Sequence, residues 1–63
     1  MSEELANDLL RGAPKIAEFL GEPVKRVYEL MEAGAIPCGK ERSQWIASKR
    51  KLLRHYDRIT GEI

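Results

Sequence analysis

The chain has 63 residues, 43% hydrophobic and 33% charged, with a formal net charge of +1. This balance is too apolar for a disordered chain and too charged for a membrane segment, and no apolar run approaches the roughly 20 residues of a membrane helix. One cysteine, Cys38, and one histidine, His55, exclude an internal disulfide and a Cys/His zinc set, so no metal or cofactor is expected. A single small soluble domain follows, and burying only about 60% of its unfolded surface leaves it marginally stable. The opening Met1-Ser2-Glu3-Glu4 lacks the basic-then-apolar order of a signal peptide, so a cytoplasmic location is expected.

In the first stretch, Ser2 to Arg11, Leu5, Leu9 and Leu10 recur at near-helical spacing, with Ser2 as a candidate cap and Gly12 as a stop. Residues 1–12 therefore read as an N-terminal helix or a flexible arm before a domain spanning 13–60. A helix begins near Ala13, where Pro14 suits a first turn, and it presents Ile16, Ala17, Phe19 and Leu20 before Gly21 turns the chain. Pro23 repeats the starting signal, and Val24, Val27, Tyr28, Leu30 and Met31 give the next helix an apolar face up to Ala33-Gly34. So short a connection favours a tight corner between steeply crossing helices.

Beyond Ala35 the period changes. Ile36-Pro37-Cys38 and Gln44-Trp45-Ile46-Ala47 read as two short strands around the polar tip Gly39 to Ser43, the first placed at an edge by Pro37. Ser48 then caps a last helix in which Leu52, Leu53 and Tyr56 share the buried face, and Thr60-Gly61 ends it. The expected fold is mainly α with a small β-hairpin, in the order helix, helix, two-stranded hairpin, helix. Trp45 is expected in the core, since single-strand stacking platforms use several exposed aromatics and the chain has only four aromatic residues in all.

Charge is distributed unevenly. Residues 1–32 carry four basic and seven acidic residues, whereas residues 33–63 carry seven basic (Lys40, Arg42, Lys49, Arg50, Lys51, Arg54, Arg58) against three acidic. The second half is a candidate phosphate-facing surface, or an ordinary solvated helix face. Nothing in the sequence activates Cys38 with His55 as a nucleophile pair, and paired carboxylates with a pocket, metal spacing and a phosphate loop are all missing, so no enzyme is expected.

The residues also fit a known pattern. Ala17, Gly21, Val27 and Leu30 are spaced as the small, turning and aliphatic positions of a helix-turn-helix. The run Ile16-Ala17-Glu18-Phe19-Leu20-Gly21, then Val27-Tyr28, Gly34-Ala35-Ile36-Pro37 and Trp45-Ile46-Ala47-Ser48, resembles the excisionase-like branch of the MerR-like superfamily from about Gly12 to Tyr56. Two departures stand out: Glu22-Pro23 lies where such sequences commonly carry a small apolar residue and a serine cap, and Glu41 lies near the hairpin tip.

The resemblance implies a winged helix-turn-helix that binds double-stranded DNA, as a small transcriptional regulator or an excisionase-like recombination factor. It places Val24, Lys25, Arg26, Tyr28 and Glu29 at the major groove, with Arg26 suited to guanine, Lys25 to phosphate and Glu29 to cytosine or to an ion pair with Lys25. Tyr28 is divided between core and DNA. Lys40, Arg42 and Gln44 on the wing face phosphates or the minor groove, or form a plain polar tip. The competing reading is an adaptor module for a phage or recombination assembly, marked by an exposed apolar patch. Without a long heptad segment a coiled-coil dimer is not expected, which leaves a weak homo-dimer or tandem binding on DNA.

Overall fold

The computed structural model describes residues 2–61, and side chains for residues 4–61. Four helices and three short strands follow one another along these residues: α1 (Ser2–Asp8), β1 (Leu9–Arg11), α2 (Ala13–Leu20), α3 (Val24–Glu32), β2 (Gly39–Glu41), β3 (Gln44–Ser48) and α4 (Lys49–Ile59). The strands form one antiparallel sheet in the order β1-β3-β2. The molecule is thus mainly helical with a small sheet, as the sequence suggests, but that sheet has one more strand than the hairpin expected.

The additional strand comes from the N-terminal stretch. Leu9, Leu10 and Arg11 pair with Ser48, Ala47 and Ile46, and the Gly12 amide continues the ladder by donating to the Trp45 carbonyl at 2.7 Å. Leu10 faces the core at 8% exposure while Leu5 stays 55% exposed, so the near-helical spacing of the three leucines does not mark a single helix face. Pairing satisfies backbone groups that a free arm would leave to water, and it ties Leu9–Arg11 into the same sheet as the hairpin.

Asp8 fixes the junction. Its carboxylate accepts hydrogen bonds from the Ser48 hydroxyl and from the Arg50 backbone amide (3.0 Å), and the Arg50 guanidinium lies 3.4 Å away. Ser48 in turn accepts from the Lys51 amide at 3.3 Å, the N-cap expected for α4. Two side chains thereby satisfy two of the amides that the start of α4 leaves open.

Pro14 occupies the first turn of α2, and Gly21 closes that helix in the left-handed region (φ 72°, ψ 31°), donating to the Ala17 carbonyl at 2.8 Å. A side chain at Gly21 would strain this conformation, so the three-residue corner to α3 depends on glycine. Ala17 is buried between the helices, and Ile16 and Val27 are sealed completely. Pro23, expected inside the first turn of α3, instead caps it in extended conformation (φ −64°, ψ 149°), and the Val27 amide donates to its carbonyl at 3.1 Å.

Three local expectations need correction. Ile36–Cys38 is not a strand: Ile36 turns into the core at 5% exposure, Pro37 has no N–H to give a ladder, and pairing starts only at Gly39. Leu53 does not share the buried face of α4; Leu52 is sealed and Tyr56 half-buried, whereas Leu53 is 58% exposed because it lies one residue, about 100°, round the helix from Leu52. Trp45 is half-buried, packed against the core from the central strand β3 rather than enclosed by it. The enclosed residues are small or aliphatic, Ile16, Val27 and Leu52 being the largest sealed ones.

Candidate nucleic-acid interface

With Val27 and Met31 buried, the turn of about 100° per residue points Lys25 and Glu29 directly outward, with Arg26 and Tyr28 on opposite flanks. All four are exposed, and Val24 is 39% exposed at the start of the helix. Tyr28, at 42% exposure, belongs to the surface. Glu32 also lies on the exposed side, so the face carries both signs. Among the described residues Lys25 and Glu29 do not form the ion pair their spacing allows; the pairs present are Arg11–Glu41 and Arg50–Asp8. The first turn of α3 has neither a side-chain cap nor an acidic residue, leaving its first amides open beside Lys25.

The hairpin does not gather its three candidate residues on one face. Lys40 pairs with Trp45 across the strands and sets its ammonium over the indole ring, 4.8 Å from the centroid, a cation–π contact. Gln44, paired with Glu41, leaves the sheet on the opposite face, and Arg42 stands in the turn itself. Glu41, the acid that looked out of place near a tip, is bound at 3.3 Å by Arg11 reaching across β3 from the other edge strand. Sequence reading missed both Arg11 and Asp8, because their partners lie 30 and about 40 positions away and leave no local signal.

The tip is unusual. Only Arg42 and Ser43 separate the paired residues Glu41 and Gln44, and both have positive φ, 51° and 68°. Two positive φ values in a two-residue hairpin loop mark a type I′ turn, which favours Asn-Gly rather than Arg-Ser.

Among the described residues two titrating groups are shifted. The Ser48 hydroxyl, the Arg50 amide and the Arg50 charge hold the Asp8 carboxyl below its ordinary value, outweighing partial burial. Burial pushes the Cys38 thiol up, which disfavours the thiolate. Among the described residues no group of three or more His, Cys, Asp or Glu could hold a metal, and no helix is long and apolar enough to cross a membrane. A groove of about 570 Å³ is lined by residues such as Ala6, Leu10 and Phe19 and by none from α3 or the hairpin, so it is separate from this surface.

No protein-family model, curated protein or solved structure matches the chain.

Proposed function

We propose that this chain is a winged helix-turn-helix domain that binds double-stranded DNA sequence-specifically in the cytoplasm, as a small transcriptional regulator or excisionase-like recombination factor. The observation that carries the reading is the pairing of two features. A three-residue corner leaves the Lys25 and Arg26 surface of α3 exposed and its first amides open, and a hairpin with an arginine at its tip follows in the chain. In this reading α2 and α3 are the helix-turn-helix, α3 enters the major groove, and β2 and β3 are the wing.

Each side chain then has a role set by its chemistry. The planar fork of Arg26 suits guanine, the exposed methyls of Val24 suit a thymine methyl, and Glu29 accepts from a cytosine amino group. Lys25 and the open amides of α3 take phosphate, as the Tyr28 hydroxyl does from its flank. On the wing Arg42 meets the backbone, Gln44 supplies a neutral donor beside it, and Lys40 stiffens the hairpin over Trp45 while keeping its charge near the strand.

The test separates positioning from reading. Lys25→Ala is expected to weaken binding to every duplex alike and to lower the salt slope by roughly one, whereas Arg26→Ala relaxes discrimination at one base pair by about 1–3 kcal/mol. Fluorescence anisotropy on a selected site, a single-base variant and random duplex measures both, with circular dichroism confirming the fold. Equal, sequence-blind losses would reduce Arg26 to a backbone contact.

A second reading rests on Val24 and Tyr28, exposed four residues apart on one side of α3. An apolar surface of this kind also suits a protein partner in a phage or recombination assembly. If neither Lys25→Ala nor Arg26→Ala alters DNA binding while the fold stays intact, the DNA surface is not on α3 and this adaptor reading takes its place.

A further inference from the structure

Along α4 the residues Lys51, Arg54, His55 and Arg58 recur at i, i+3, i+4 and i+7, the spacing that sets four side chains along one side of a helix. They line a cleft of about 230 Å³ closed by Pro37 from the segment before β2, and among the described residues every ionisable group lining it is basic. Lys51, Arg54 and Arg58 are exposed, and among the described residues the ion pairs engage Arg11 and Arg50 rather than these cations. His55 is half-buried and held edge-on against Tyr56, with ring centroids 5.0 Å apart, so its imidazole has a fixed backing. Like charges at this spacing disfavour an isolated helix, and the fold keeps them together around a concavity.

We propose that this cleft is a second phosphate-binding surface, through which α4 grips the sugar–phosphate backbone of duplex DNA outside the stretch read by α3. The inference rests on the DNA-binding reading and extends it to a helix that reading does not use. At a rise of about 1.5 Å per residue, Lys51 and Arg58 stand roughly 10 Å apart along the helix. One strand of duplex presents a phosphate about every 3.4 Å of axis, so the row matches roughly three phosphate steps. A protein partner would need a buried apolar or aromatic anchor to bind here, and among the described residues Pro37 is the only apolar side chain lining the cleft. A regular line of cations without an anchor fits a regular line of anions.

The experiment uses the full chain with Arg54→Gln/Arg58→Gln and the charge-conserving Arg54→Lys/Arg58→Lys. For the glutamine pair, affinity for a selected site and for random duplex should fall by the same factor, and the slope of log K against log salt should fall by about two. The lysine pair should retain the slope. In parallel, the His55 ring resonances of the unaltered protein are followed by NMR as random duplex is added, and they should shift together with α3 resonances. An unchanged slope in the glutamine pair, or a still His55 while α3 responds, would overturn the α4 contact and leave DNA binding by α3 standing. No binding of the unaltered protein to any duplex at low salt would overturn both.

Discussion

Replacing Ser43 with glycine tests the backbone at the hairpin tip, where Arg42 and Ser43 hold φ of 51° and 68°. A non-glycine residue in the left-handed region costs roughly 1–2 kcal/mol, and glycine's extra freedom in the unfolded chain returns about 0.5–1 kcal/mol of that. The net expectation for Ser43→Gly is a gain of about 0.5–1 kcal/mol, hence a rise in Tm of roughly 2–8 °C for a domain this small. Arg42→Asn, which supplies the other half of the favoured Asn-Gly pair, should add a smaller gain while removing the cation from the tip. Thermal unfolding by circular dichroism reads the first effect, and the salt dependence of duplex binding reads the second. Opposite signs are expected for Arg42→Asn: a more stable protein whose salt slope falls by about one. If Ser43→Gly leaves the Tm unchanged or lowers it, the tip is not a strained I′ turn. If Arg42→Asn leaves the salt slope intact, the turn does not serve to present an arginine to DNA.

Asp8 should make the fold acid-sensitive. Held below its ordinary value of 3.8 when folded, its carboxyl contributes stability that is present above that value and is lost as pH falls through the lower folded value. Asp8→Asn should therefore lower the denaturant midpoint at neutral pH and flatten its decline below about pH 4, as urea titrations across pH would record. In the core, Leu52→Ala should cost about 2–5 kcal/mol and unfold much of the population, whereas Leu53→Ala should stay within about 0.5 kcal/mol. Half-buried Trp45 should fall between them at roughly 2 kcal/mol, below the 3–5 of an enclosed tryptophan. Equal costs for Leu52→Ala and Leu53→Ala in chemical denaturation would mean that α4 is rotated from the orientation described.

The parts of the fold legible in the sequence are those encoded over short stretches. Pro14 and Gly21 bracket α2, Ser48 caps α4, and the burial of Ala17 and Val27 follows from their own periodic positions. The parts that were not legible depend on distant partners. Leu9–Arg11 is a strand because Ile46–Ser48 is there to pair with, and nothing in the three residues themselves announces it. Ile36 leaves its expected strand because the core has a place for it, and a run of Ile-Pro-Cys cannot state which of those two outcomes prevails. Among the candidate site residues, the exposure of Lys25, Arg26 and Glu29 was readable from Val27 and Met31 facing inward, whereas that of Val24 and Tyr28, which share the apolar series, was not. Nor was the separation of Lys40 from Gln44, since the expected tip of Gly39 to Ser43 shrinks to Arg42-Ser43, which puts Lys40 in β2 opposite Trp45 and Gln44 on the other face opposite Glu41.

The third strand also explains how a strained tip can persist. A two-stranded hairpin is marginal by itself, and one closed by Arg-Ser would relax toward a looser turn. Here β3 is the central strand: β1 pairs with it from one side through Leu9–Arg11, and β2 pairs from the other in the register that leaves two residues for the turn. The Arg11–Glu41 pair spans the same three strands on one face, and Lys40 over Trp45 braces β2 and β3 on the other. Strain at the tip is thus sustained by contacts at the base of the hairpin, the arrangement in which a sparsely populated backbone conformation can be kept for a purpose. Under the DNA-binding reading that purpose is the placement of Arg42, and the N-terminal strand becomes a supporting part of the wing.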